Sequence, residues 1–244
     1  MRRLLLLGAA LLLTSAAADK HSGYVDASPA VQAMQDDDTA NPGMLWVEQG
    51  RALWEQPVGG KSCASCHGAP AAMRGVAARY PRFAGRPISL PEQVNQCRTA
   101  RQGAPALPEE GDEMLALTAL IGLQSRGMPV AVDASGPAQA ALEQGRALFE
   151  QRMGQLNLSC AQCHDGLAGQ RLGGSRVPQG HPNGYPEYRL EWQGMGSLDR
   201  RLRGCMTGVR AEPFPPGSPE LAALEFYLGW RANGLLVETP AVRP

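Results

Sequence analysis

Two segments of the chain repeat one pattern of apolar and polar positions, with apolar or small residues at i, i+4, i+7 and i+8. On a helix of 3.6 residues per turn this spacing forms one buried face, so each segment predicts an amphipathic helix. A glycine within each face predicts that another helix crosses there at short distance. The face residues are Trp46, Gly50, Leu53 and Trp54 in the first segment and Ala141, Gly145, Leu148 and Phe149 in the second.

Two further apolar segments, residues 114–127 and 221–234, predict a second helix after each opening helix. Residues 47–56 recur almost letter for letter as residues 142–151, and the parts that follow recur in the same order. Each copy continues with a C-x-x-C-H motif, an aromatic-Pro stretch and a lone cysteine before its closing apolar segment. Repetition at this length indicates a duplicated domain.

The N-terminus has the layout of a secretory signal peptide over residues 1–18. Arg2 and Arg3 precede an apolar run from Leu4 to Leu13, and the small residues Ala16–Ala18 offer a cleavage site. The run is shorter than the roughly 20 residues that a membrane anchor needs. We therefore expect an exported, periplasmic protein without a membrane span. Residues 19–43 then predict an extended or loosely packed arm, whose acidic run at 36–38 indicates a solvated surface rather than a metal site.

Composition narrows the function further. The chain has 23 basic and 23 acidic residues and a formal net charge of zero, which argues against nucleic acid as a partner. Aromatic residues make up only 5% of the chain, while Gly and Pro number 29 and 20. So few large side chains indicate a thin core that a bulky cofactor would fill.

Four of the six cysteines belong to the two C-x-x-C-H motifs, which is the attachment pattern of haem c. The two thiols form thioethers with one haem, and the histidine coordinates its iron. Zinc is the competing metal because C-x-x-C is also zinc spacing, but two copies with an adjacent histidine after a signal peptide favour haem. The predicted attachment residues are Cys63, Cys66 and the axial His67 in the first copy, and Cys160, Cys163 and the axial His164 in the second.

These motifs complete the predicted architecture. We expect a mainly α protein with two duplicated cytochrome c-like domains, each around one covalently bound haem c. The first domain spans residues 44–127 and the second, catalytic one residues 139–244, with a Pro- and Gly-containing linker at 128–138.

The lone cysteines, Cys97 and Cys205, occupy matching positions where a small cytochrome c supplies its distal iron ligand. None of the nine methionines occurs at matching positions in both copies. Thiolate ligation to each iron competes with a Cys97–Cys205 disulfide and with free thiols. Thiolate donors would lower the haem potential, which suits a site of sulfur chemistry better than an electron shuttle.

The two lone cysteines have different surroundings. Cys205 lies among four arginines, at positions 200, 201, 203 and 210, whereas only Arg98 and Arg101 follow Cys97. Arginine lowers a thiol pKa and binds oxyanions with paired donors, although haem propionates compete for such residues. The second site is therefore the candidate for anion chemistry.

Together with the cysteines, residues 180–190, 197–205 and 210–213 resemble SoxA, the dihaem subunit of the SoxAX complex of thiosulfate oxidation. The resemblance implies an L-cysteine S-thiosulfotransferase that couples thiosulfate to a cysteine of the carrier protein SoxYZ. It implies a heterodimer with the monohaem cytochrome SoxX and electron transfer to a downstream cytochrome c. By the same resemblance, Cys205 is the active-site cysteine, carried as a persulfide, Arg201 contacts the substrate, and Cys97 is the distal ligand of haem 1. The alternatives are a cytochrome c4-like dihaem electron carrier and a dihaem peroxidase.

Overall fold

The computed structural model describes residues 19–244, so the predicted signal peptide at 1–18 lies outside the described residues. This part of the chain contains nine α-helices and seven short strands. The helices are α1 (Pro29–Asp36), α2 (Met44–Glu55), α3 (Cys63–His67), α4 (Leu90–Cys97), α5 (Asp112–Leu123), α6 (Gln139–Glu150), α7 (Cys160–His164), α8 (Leu198–Gly208) and α9 (Pro219–Arg231). The strands are β1 (Arg82–Phe83), β2 (Pro87–Ile88), β3 (Arg171–Leu172), β4 (Ser175–Arg176), β5 (Glu187–Arg189), β6 (Gly194–Gly196) and β7 (Ala241–Arg243).

Two crossed helix pairs form the frame of the molecule: α2 packs on α5, and α6 packs on α9. Glycine permits each crossing. A Cβ atom on Gly50 would lie 2.3 Å from the carbonyl oxygen of Ala116, and one on Gly145 would lie 2.1 Å from that of Ala223. Both glycines are the ones that the periodicity had placed on a buried face. The mainly helical prediction is confirmed.

The closing helices differ from their predicted bounds. Helix α5 begins two residues before the predicted segment and ends at Leu123, and its residues from Met114 to Gly122 are buried on every side. The sequence pattern predicted a single buried face on this helix. The opposite face is also buried, because the chain that follows α9 covers it. A Cβ on Gly122 would lie 2.5 Å from the side chain of Thr239.

The N-terminal arm is helical and packed rather than extended or loose. Helix α1 lies against β7, where Val31 and Val242 are buried together. The side chain of Asn41 donates to the carbonyl oxygen of Pro240 at 2.9 Å. In the acidic run, Asp38 forms an ion pair with Arg126, with two N–O distances of 2.6 and 2.8 Å. The run is thus partly engaged in tertiary contacts.

The segment predicted as a linker packs into the core of the second helix pair. The backbone of Val130 donates to Leu235 at 2.8 Å, and both Val130 and Val132 are buried. A three-stranded sheet in the order β6-β5-β7 completes this half, with β5 antiparallel to β6 and parallel to β7. Among residues 19–244, none of the helices has the length and apolar character needed to cross a bilayer.

Candidate haem-binding and sulfur-transfer site

Each C-x-x-C-H motif forms one short helix with the same N-terminal cap. In α3 the Ser62 hydroxyl accepts from the backbone of Ser65, and in α7 the Ser159 hydroxyl accepts from the backbone of Gln162. In both helices the third residue bonds back to the cap, which completes a capping box. This cap holds the first cysteine, second cysteine and histidine of each motif on one short rigid turn.

The first cysteine of each motif is half-buried against a hydrophobic core. Cys63 packs on the core around α2 and α5, and Cys160 on the core around α6 and α9. Of the second cysteines, Cys66 is exposed and Cys163 is half-buried. A set of two thiols and one imidazole, directed from an apolar wall toward open space, fits a covalently attached haem.

A hydrogen bond through Nδ1 holds the ring of His164 in place. Its Nδ1 lies 2.7 Å from the carbonyl oxygen of Pro178, so Nδ1 carries the proton and Nε2 is left free as a ligand for iron. Burial, with a smaller effect of the charges of Arg201 and Arg231, lowers the pKa of His164 and favours this neutral form. Gly180 allows the loop to lie against the ring, since a Cβ there would be 3.0 Å from the imidazole.

His67 is held differently, beside Trp54 at a ring-centroid distance of 5.9 Å. The indole nitrogen of Trp54 donates to the carbonyl oxygen of Gly68 at 2.8 Å, which ties the end of α3 to α2.

The two other histidines, His21 and His181, make local contacts. His21 lies 3.4 Å from Asp26, and His181 lies 3.2 Å from the amide oxygen of Gln179, while burial lowers the pKa of His181 to about 4.

The lone cysteines lie in helices, and each is associated with its own motif. All six cysteines of the chain are in the described residues, and none forms a disulfide. Burial, with a smaller contribution from the nearby Cys205, raises the pKa of Cys160 to about 11. Burial likewise raises the pKa of Cys63, which is close enough to Cys97 to feel its charge. Each lone cysteine therefore lies near the first cysteine of its own motif.

Of the four arginines expected around Cys205, Arg201 is the one whose charge reaches His164. Its Nη1 donates to Glu191 at 3.0 Å, and the same carboxylate oxygen accepts from Arg189 at 2.8 Å. Glu191 follows β5 in a turn, and no motif in the sequence identified it. The acid orients one edge of the Arg201 guanidinium and leaves the other edge available for an anion.

The other two arginines of α8 have separate partners. The guanidinium of Arg200 lies 4.2 Å above the ring of Trp192, and Arg203 lies 3.9 Å from Asp199. Arg210, after the helix, is exposed and adopts a positive φ of 59°. Each of the three arginines of α8 thus has its own partner.

The family described as "SoxA/TsdA, cytochrome c domain" matches residues 49–130 and 144–237. The chain belongs to this family. Membership of a cytochrome c family implies covalently bound haem c, in agreement with the geometry of the motifs.

Two relatives carry the name L-cysteine S-thiosulfotransferase subunit SoxA. The protein of Rhodovulum sulfidophilum is 44% identical over 91% of this chain and 79% of its own length. That of Paracoccus pantotrophus is 40% identical with the same coverage. The crystal structure of SoxXA from P. pantotrophus superposes with a TM-score of 0.89 at 39% identity, covering 92% of this chain and 87% of that one. The predicted resemblance to SoxA is confirmed.

Proposed function

We propose that this chain is the SoxA subunit of an L-cysteine S-thiosulfotransferase that acts in the periplasm after removal of residues 1–18. The observation that carries the proposal is Cys205 on α8, with Arg201 one turn before it and Cys160 of the α7 motif near enough to interact with its charge. The names of the 40–44% identical relatives support the same activity. They also favour it over the electron-carrier alternative.

Two haems follow from the paired motifs. We assign the first to Cys63, Cys66 and His67 with Cys97 as distal ligand, and the second to Cys160, Cys163 and His164 with Cys205 as distal ligand. The assigned residues lie in α3, α4, α7 and α8. When bound, haem supplies an acceptor for electrons.

In the reaction, Arg201 holds a sulfonate oxygen of thiosulfate through the guanidinium edge that Glu191 leaves open. The Cys205 thiolate and the sulfane sulfur join in a sulfur–sulfur bond, which releases two electrons and leaves a cysteine S-thiosulfonate. A thiolate of the carrier protein then attacks the sulfane sulfur, the bond to Cys205 breaks, and the Cys205 thiolate leaves. By resemblance to the family, Cys205 itself is carried as a persulfide, which adds one sulfur to the nucleophile.

The partners are assigned from the resemblance to SoxA. Since the superposed crystal structure is of SoxXA, we assign a SoxX cytochrome as the second subunit. The carrier that receives thiosulfate is SoxYZ, and the electrons leave to a downstream cytochrome c.

Replacement of Cys205 by alanine tests the proposal. We expect Cys205→Ala, purified with SoxX, to retain covalent haem on both motifs by intact mass and to lose thiosulfate coupling to the carrier cysteine. Thr207→Ala is the matched control, because Thr207 is exposed on the same helix. Coupling at the wild-type rate in Cys205→Ala would refute the assignment.

A further inference from the structure

Helices α4 and α8 place different side chains one turn before their lone cysteines. Both helices begin after a serine cap, Ser89 and Ser197, and in both the cysteine follows the cap by eight residues. In this common register Gln93 in α4 corresponds to Arg201 in α8. Residues four apart on a helix are neighbours on one face, so Gln93 and Arg201 hold equivalent positions relative to the cysteine that follows each of them.

Gln93 contacts the sulfur directly. Its side-chain nitrogen lies 3.6 Å from Sγ of Cys97, within range of an N–H···S hydrogen bond. Its oxygen accepts from Nη2 of Arg82 at 2.6 Å and from the hydroxyl of Tyr80 at 3.4 Å. Because both partners of the oxygen are donors, the amide can take only the orientation that directs its NH₂ group at the sulfur.

In the second half, the position that corresponds to Arg82 carries a negative charge instead of a positive one. The residue after the Tyr-Pro pair is Arg82 in the first half and Glu187 in the second, and Glu187 holds Arg189 at 2.9 Å. Arg189 and Arg201 share Glu191, so Arg201 is directed toward that acid. One half therefore supplies a neutral donor to its sulfur, whereas the other places a cation, held by an acid, at the equivalent position.

We propose that Gln93 is a positioning residue that keeps the Cys97 sulfur as an unreactive distal ligand and raises the reduction potential of haem 1. This rests on the assignment of Cys97 as distal ligand in the proposed function. A hydrogen bond to a ligating thiolate withdraws electron density from sulfur, weakens its donation to ferric iron and so favours the reduced state. The same bond occupies a lone pair of the sulfur, which lowers its nucleophilicity.

The test uses the SoxX-bound protein in a redox titration followed by electron paramagnetic resonance. Gln93→Leu removes the donor, and Gln93→Glu keeps the shape and the contact with Arg82 but has no N–H group to donate. We expect both variants to lower the midpoint potential of haem 1, with the larger shift in Gln93→Glu, and to alter the g-values of that haem alone. Gln96→Leu is the matched control, because the Gln96 amide on the same helix bonds to Glu92 at 2.9 Å.

Two outcomes would overturn the proposal, and they are distinguishable. A haem 1 potential in Gln93→Leu and Gln93→Glu equal to that in Gln96→Leu overturns the proposal. Absence of a histidine–thiolate signal for haem 1 in the wild-type protein overturns it together with the assignment of Cys97. Neither result affects Cys205, whose role is decided by thiosulfate coupling in Cys205→Ala.

Discussion

At the scale of single residues, the contact between Arg201 and Glu191 bears most directly on the proposed binding of thiosulfate. The guanidinium of Arg201 is bound to Glu191 through one nitrogen, so its planar fork can bind a second oxyanion at the same time. The ammonium of lysine is a single charged point, which cannot serve two anions with the same fixed geometry. We therefore expect the proposed role of residue 201 to depend on the shape of arginine as well as on its charge.

We expect Arg201→Lys to lower kcat/KM for thiosulfate by about 10- to 100-fold, equivalent to roughly 1.4 to 2.7 kcal/mol. Steady-state coupling of thiosulfate to the carrier cysteine measures this. Arg200→Lys is the control on the neighbouring position, since Arg200 stacks on Trp192 and should change kcat/KM little. Equal losses in the two variants would mean that overall positive charge, rather than the placement of Arg201, binds the substrate.

At the scale of elements, both halves depend on a glycine at a helix crossing. Gly145 brings α6 into backbone contact with α9, and the ring of Phe149 packs 5.5 Å from that of Tyr227 just beyond the crossing. A methyl group at 145 would overlap both the Ala223 carbonyl oxygen, at 2.1 Å, and the Cβ of Tyr227, at 2.6 Å. Neither obstacle is the flexible end of a side chain, so the helices themselves must separate.

We predict that Gly145→Ala lowers the free energy of unfolding of the haem-loaded protein by about 3 kcal/mol. Chemical denaturation followed by far-ultraviolet circular dichroism checks this. Gly208→Ala in α8 is the control: nothing lies within 4 Å of the added methyl, and alanine is the better helix former. An unchanged midpoint in Gly145→Ala would show that the two helices are not in backbone contact.

The helices and strands differ in how well the sequence alone predicts them. The helix faces with Gly50 and Gly145 and the two motif helices were predictable, because helical period and C-x-x-C-H spacing are local. The pairing of β5 with β7 was not predictable, because Tyr188 and Val242 are far apart in the sequence and pair only in the folded chain. For the same reason the N-terminal arm was wrongly expected to be loose.

The site was predictable in part. Its cysteines, histidines and arginines stand out by type and spacing, whereas Glu191 and Gln93 are single polar residues in no recognised motif. A usable indication was nevertheless present for Gln93. The Ser-Leu pair begins both helices eight residues before the lone cysteines, and aligning it places Gln93 opposite Arg201.

At the scale of the whole molecule, the two halves meet around a shared cavity of about 130 Å³. Its walls are mostly apolar, but Glu109 from the first half and Asp199 and Glu225 from the second line it. A hydrogen bond from Ser197 to Glu110 joins the halves beside the cavity. Oδ1 of Asp199 is buried without a hydrogen-bond partner, although the guanidinium of Arg203 lies 3.9 Å from it.

Glu225 should make stability depend on pH. Burial, followed by the charges of Asp199, Glu109 and Glu110, raises the pKa of Glu225 to about 8, from 4.5. Between these values the folded state binds a proton that the unfolded chain has lost, so the contribution of Glu225 to stability falls as pH rises from about 4.5 to 8. Above that range the folded protein carries the full cost of a buried carboxylate.

We therefore expect Glu225→Gln to stabilise the protein at pH 8 by roughly 2 kcal/mol or more, and to change stability little at pH 5. Denaturation midpoints at a series of pH values measure the difference. Some pH dependence should remain in the variant, because burial also raises the pKa of Glu109 and of Asp199. Glu150→Gln, at an exposed position on α6, is the control and should follow the wild-type curve. If Glu225→Gln followed that curve as well, the carboxyl would have to be solvated in the folded state, and the two halves would not enclose it as the structure describes.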